Sequence, residues 1–175
     1  MSSTPVRAVH YTVSRLTIEI AATPREFQSR YEQAVPPVPS EQVEALRERQ
    51  APWQEMIDLL AATAPLGFLI YHKMGTGLMR LAGDTAYCVA YLMGNHTIAE
   101  RMFRYEPAIL LYAPLHTTIW GDPGGPAHFT FDKPSDQFRS FDNREITAVG
   151  VELDHKVATL LEHLGVTVPD ALLTH

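Results

Sequence analysis

The chain has 175 residues, enough for one domain with a substantial hydrophobic core. Its hydrophobic fraction of 46% and charged fraction of 19% are ordinary for a soluble globular protein, and no apolar run approaches the roughly 20 residues that span a bilayer. The net charge of −6 and the scattered basic residues argue against a nucleic-acid partner. A single cysteine, Cys88, excludes an intramolecular disulfide, and the start of the chain lacks a secretion signal, so we expect a cytoplasmic protein.

The first 60 residues predict one strand followed by helices. Apolar residues alternate over 6–21, but the alternation changes phase near Ser14–Arg15, which requires a bulge or a break. A capping box then predicts a short helix that ends by Ala34 or Val35; it consists of Thr23, Pro24 and Glu26. A longer helical stripe begins at Ser40, which we expect to cap it. Pro52 interrupts this stripe and predicts either a kink or two helices.

The rest of the chain predicts a sheet and a long final helix. Residues 68–74 are apolar on both faces and predict a central strand, and 86–93 predict a second strand that ends before a helix capped by Asn95. A hairpin follows, with Phe129 and Phe131 facing the core, and a long helix begins near Arg144. This order predicts an α+β fold over residues 1–175, with a largely antiparallel sheet and helices packed on one face.

A set of residues spread over the middle of the chain resembles one known family. These residues are Gly94-Asn95, Met102-Phe103, Pro107, Leu111-Tyr112, Pro114-Leu115, Ile119, Asp122 and the segment Phe131-Asp132-Lys133-Pro134-Ser135. Their pattern is similar to that of the domain of unknown function 302 family over about residues 68–134. The resemblance implies a TATA-binding-protein-like fold with a curved antiparallel sheet, and it implies a homodimer without settled biochemistry.

The chain departs from the family pattern at two positions. The family carries a Gly-Asn-Pro turn, whereas His96 follows Gly94-Asn95 here. The family also carries an Ile-Asp-His near the end of an earlier strand, whereas Tyr71 precedes His72 here. The carboxylate that would orient His72 in the family pattern is therefore absent here.

His72 is the first candidate for a functional side chain. On an apolar strand face, a neutral imidazole can serve as a general base, a ligand or a hydrogen-bond donor. The alternative interpretation, which we favour, is a buried histidine bonded to a backbone carbonyl. With Met74 on the same strand face, haem ligation also remains open.

Further candidates lie at a helix start and on the hairpin. Asn95 and His96 begin a helix whose free amides can bind a small acidic ligand, although capping by Asn95 alone explains that residue equally well. Tyr112, His116 and Trp120 are expected to share the hairpin face opposite Phe129 and Phe131, where aromatic and polar groups are typical of a pocket or a subunit contact. No cluster has the spacing of a metal site, so we predict neither metal nor cofactor.

Three functions are compatible with these residues. The first is a homodimer that binds a small molecule near His72 and Asn95. The second is a cofactor-independent enzyme with His72 as general base and Asn95 or the helix amides stabilising an anion. The third is a structural or regulatory module whose sheet face contacts a partner.

Overall fold

The computed structural model describes residues 4–174, which contain five strands and six α-helices. The strands are β1 (Arg15–Ile20), β2 (Leu69–Gly75), β3 (Tyr87–Gly94), β4 (Leu115–Gly121) and β5 (Ala127–Asp132). The α-helices are α1 (Pro24–Ala34), α2 (Ser40–Glu48), α3 (Trp53–Thr63), α4 (His96–Phe103), α5 (Pro134–Arg139) and α6 (Arg144–His163). Short 3-10 turns lie at Met79–Ala82, Pro107–Leu111 and Asp170–Leu172.

The five strands form one antiparallel sheet in the order β1-β5-β4-β3-β2. The predicted α+β fold with an antiparallel sheet is confirmed. The hairpin of β4 and β5 is confirmed as well, with Ile119 paired to Phe129 in the register. Buried residues alternate with exposed or half-buried residues along β4 and β5, so one face of the sheet is covered and the other is open.

The main hydrophobic core lies between the covered face and the helices. The sheet contributes Ile20, Val89, Tyr91, Met93, Leu115, Ile119, Phe129 and Phe131, and the helices contribute Phe27, Tyr31, Ile98, Met102, Phe138, Ile146, Val149, Leu153 and Val157. A second, smaller cluster joins α3 to the start of β2 through Leu60, Ala64 and Leu69. Both clusters border the site described below.

The prediction that residues 68–74 form a central strand is wrong, because β2 is at the edge of the sheet. Its first half is covered instead by the preceding chain, where the Ile70 amide donates to the Pro36 carbonyl at 2.9 Å and the Val38 amide donates to the Ile70 carbonyl at 3.1 Å. The pairing with β3 also shifts between Ile70 and His72, which leaves Tyr71 in a bulge. This bulge redirects the Tyr71 side chain.

The helix predictions are mostly confirmed. The capping box at Thr23 is present, and α1 ends at Ala34. Pro52 separates two helices, but Ser40 is the first residue of α2 and its hydroxyl donates to the Val38 carbonyl instead of capping the helix. Over residues 6–14 the described chain has no strand, and β1 begins only at Arg15.

Helix α5 was not predicted, and α6 holds its start in place. The buried Asp154 carboxylate of α6 accepts a hydrogen bond from the Ser135 amide at 2.9 Å, and the Lys133 ammonium lies 3.7 Å from the same carboxylate. The two helices approach closely at Gly150, where an added Cβ would lie 3.0 Å from the Phe138 Cβ. A larger residue at this position would require the two helices to shift apart by a few tenths of an ångström.

Candidate functional site

An apolar pocket opens where the end of β3 meets α4. Its walls come from the sheet, α4, α5, α6 and the segment before β4, with Phe68, Ile98, Ala99, Met102, Leu110, Ala113, Pro114, Leu115, Phe138 and Leu153 as the apolar lining. Tyr71, Asn95 and His96 are the polar residues of the lining. The cavity volume is about 50 Å³, so the pocket accommodates only a small group. An apolar cavity with a few polar groups is the usual composition of a small-molecule site.

Gly94 allows one wall of this pocket to form. A Cβ at Gly94 would lie 3.1 Å from the Pro114 Cβ and 3.2 Å from the Pro114 Cα. Because real Cβ atoms rarely come so close to backbone, a larger residue would push the segment around Pro114 away from β3. Gly94 therefore sets the width of the pocket.

The Tyr71 hydroxyl and His96 form the polar pair of the pocket. The hydroxyl oxygen lies 2.6 Å from the His96 Nδ1 and accepts a hydrogen bond from the His96 backbone amide at 3.0 Å. The ring centroids are 4.8 Å apart with the planes tilted by 55°. The bulge in β2 and the first turn of α4 thus bring together the two residues at which the sequence departs from the family pattern.

The hydrogen bonds favour a neutral imidazole. Since the Tyr71 hydroxyl already accepts from the backbone amide, its proton can be donated to Nδ1, and the neutral ring then carries its own proton on Nε2. Burial lowers the pKa of His96 and raises the pKa of Tyr71 to about 12. His96 nevertheless retains exposed surface, although its ring packs on Tyr71.

Asn95 caps α4, as predicted, and the first amides of this helix are occupied. The Asn95 Oδ1 accepts from the Thr97 amide at 2.9 Å, and the Asn95 carbonyl accepts from the Ile98 amide at 3.1 Å. The His96 amide is bonded to Tyr71, as described above. The Asn95 side chain also donates to the Gly67 carbonyl at 3.1 Å. Few backbone N–H groups therefore remain free at the start of α4 to bind an anion.

A sequence profile of one family, described as domain of unknown function DUF302, matches residues 50–164. The chain belongs to this family. Its fold is similar to that in the crystal structure of an uncharacterized conserved protein DUF302 from Bacillus stearothermophilus, with a TM-score of 0.60 and 12% sequence identity; the match covers 86% of this chain and 97% of that one. At this identity the likeness concerns the fold alone. No curated protein matches the chain.

The remaining predicted site residues of this DUF302 chain lie away from the pocket. His72 is exposed on β2 and pairs with Leu92, which in turn pairs with His116 on β4. Directly paired residues project from the same side of a sheet, so both histidines lie on the open face. The expectation of a buried His72 is therefore wrong.

Trp120 lies on the same open face. Its ring stacks on His128 with centroids 4.3 Å apart, and its Nε1 donates to the Thr130 hydroxyl at 2.9 Å. Cys88 is paired with Trp120 across β3 and β4 and is half-buried. Burial raises the pKa of the Cys88 thiol, which disfavours the reactive thiolate.

Tyr112 does not share this face, contrary to prediction. It follows the 3-10 turn before β4, and it packs against the edges of Phe138 and Phe141 with centroids 6.4 and 5.9 Å away. Its hydroxyl is hydrogen bonded to the Tyr11 hydroxyl. Burial is the main reason, and this hydrogen bond a further one, that the pKa of Tyr112 is raised to about 12. Tyr112 supports the segment beside Pro114 and does not line the pocket.

Two features concern the described residues as a whole. Among residues 4–174, no group of three or more His, Cys, Asp or Glu side chains is arranged to hold a metal ion. Within the same range, no helix has both the length and the apolarity to cross a membrane.

Sequence reasoning located Asn95 and His96 but missed Tyr71 and the apolar walls. In the sequence analysis Tyr71 is only a departure from the family pattern, whereas His96 is both a departure and a candidate ligand-binding residue. The two departures, Tyr71 and His96, are hydrogen bonded to each other in the fold. Considering the two motifs together would have indicated this contact. The walls carry no such signal, because Met102, Phe138 and Leu153 follow the pattern of ordinary core residues.

Proposed function

We propose that this DUF302 chain binds a small, mostly apolar molecule in the pocket at the start of α4. The observation that carries the proposal is the Tyr71–His96 pair, which places one oriented polar group on an otherwise apolar cavity. Burial of the ligand's apolar part supplies the affinity, and the imidazole Nε2–H supplies the orientation.

The polar group of the ligand is a neutral acceptor, such as a carbonyl or hydroxyl oxygen. A neutral His96 donates one hydrogen bond but provides no positive charge for a carboxylate. The first amides of α4 are occupied, so the helix start adds little for an anion. This proposal replaces the expected small acidic ligand with a neutral one.

Thermal unfolding in the presence of matched small ketones, alcohols and carboxylic acids tests the proposal. We expect the ketones and alcohols to raise the unfolding temperature more than acids of equal chain length. Ala99→Phe, which fills the pocket from α4, should abolish this stabilisation. Tyr71→Phe should weaken binding about fivefold, equivalent to about 1 kcal/mol for one hydrogen bond.

Tyr105→Phe is the matched control for the tyrosine variant. Tyr105 is an exposed tyrosine just after α4 that does not line the pocket, and loss of its hydroxyl should leave binding unchanged. No stabilisation by any of these compounds, or equal stabilisation of wild type and Ala99→Phe, would overturn the proposal. Stronger stabilisation by the acids would reject the neutral acceptor.

We also infer that the protein acts as a cytoplasmic homodimer that is joined through the open sheet face. Neighbouring strands β3 and β4 contain no Asp, Glu, Lys or Arg. Their open face carries the half-buried Leu92 and the exposed Trp120, and Met74 of β2 lies beside them. The core of an interface is typically poor in charged residues and rich in aromatic and Met side chains.

A further inference from the structure

His96 borders a second cavity as well as the pocket. This second cavity, the α2–α3 groove, lies between the two helices and is lined by Val43, Leu46, Arg47, Gln50, Ala51, Pro52, Trp53, Met56 and His96. Most of these side chains are apolar, and Trp53 remains 46% exposed at the rim. An exposed tryptophan on an apolar groove is uncommon on a surface that contacts only water.

His96 is the residue that the two cavities share, since it lines both of them. Tyr71 lines the pocket and packs against the small cluster of Leu60, Ala64 and Leu69, against which Val43 and Met56 of the groove also pack. His96 thus borders two mostly apolar cavities. This arrangement fits a ligand whose polar atom is in the middle of the molecule rather than at one end.

We propose that the α2–α3 groove is the second half of the binding site and that the ligand is an elongated neutral molecule with an internal acceptor, such as a dialkyl ketone or an ester. One aliphatic arm enters the pocket, the carbonyl oxygen accepts from His96, and the other arm lies in the groove against Trp53. This inference rests on the proposed binding function. It adds the shape of the ligand and a second set of contacts.

The lining of the groove supports an aliphatic arm over other occupants. Besides His96, its polar residues are Arg47 and Gln50, which are both exposed, and the Arg47 guanidinium is paired with Glu44 at 2.6 Å. The remaining surface offers dispersion contacts and few hydrogen-bond partners. Each methylene buried there strengthens binding about fourfold.

Calorimetric titration with three ketones tests the inference. Dibutyl ketone and methyl heptyl ketone are isomers with equal apolar content, and diethyl ketone is too short to reach far into the groove. We expect dibutyl ketone to bind more tightly than methyl heptyl ketone, because only its central carbonyl allows both cavities to be filled. Trp53→Ala should weaken dibutyl ketone about tenfold, the loss of one or two buried methylenes. It should leave diethyl ketone unchanged.

Phe103→Ala is the matched control, since Phe103 is an exposed aromatic residue of α4 that lines neither cavity. A dibutyl ketone with a bromine at the end of each arm should also quench tryptophan fluorescence in wild type and not in Trp53→Ala. If diethyl ketone binds and depends on Tyr71 while Trp53→Ala leaves dibutyl ketone unaffected, the groove is not part of the site and the pocket proposal survives. If no ketone binds, both proposals are wrong.

Discussion

At the scale of single residues, His96 couples the stability of the fold to pH. Packing on Tyr71 removes water from one side of the ring, and this burial lowers the pKa of His96 below its ordinary value of 6.5. As pH falls below 6.5, the unfolded chain therefore takes up a proton before the folded chain does. The contribution of a neutral His96 is fully present above 6.5 and is lost as pH falls through the lower folded value.

Urea unfolding of wild type and His96→Gln over this pH range measures that contribution. Above pH 6.5 the two free energies of unfolding should run parallel, and below it wild type should lose stability faster than the variant. Parallel curves throughout would contradict the lowered pKa of His96.

At the scale of elements, the start of α4 depends more on its capping residue, Asn95, than the start of α6 depends on Asn143. Asn95 and Asn143 both cap their helices through the side-chain oxygen, but only Asn95 also donates to a distant carbonyl, that of Gly67. Asn143→Ala should cost about 1 kcal/mol for the lost cap. Asn95→Ala should cost about 1 kcal/mol more for the additional hydrogen bond. Urea unfolding of both variants provides the comparison, and an equal cost would show that the bond to Gly67 contributes nothing.

The elements that the sequence predicted well are those determined by neighbouring residues. The capping box at Thr23 and the cap at Asn95 each involve residues two or three positions apart, so they can be recognised locally. Helix α5 is different, because its first turn is bonded to Asp154 on another helix and not to its own capping side chain. A local pattern contains no information about that contact.

Neither the edge position of β2 nor the site could be predicted from the sequence, and the reason is the same for both. An apolar strand is typical of the middle of a sheet, but here the apolar side of β2 is covered by the preceding chain and by α3. The bulge at Tyr71 follows from this packing and turns its side chain toward His96. The pair joins residues 25 positions apart, so only a three-dimensional arrangement shows that they act together.

At the scale of the whole molecule, we expect the open sheet face to join two copies of the chain. Light scattering at micromolar concentration should return twice the chain mass of 19.6 kDa. Leu92→Arg places a charge between His72 and His116 on this face, and it should produce monomers without unfolding the chain, since Leu92 is only half-buried. Leu111→Arg is the control, because Leu111 is 71% exposed and lies outside the sheet. A wild-type monomer across this concentration range, or a dimer that persists in Leu92→Arg, would show that the two copies do not meet on the open face.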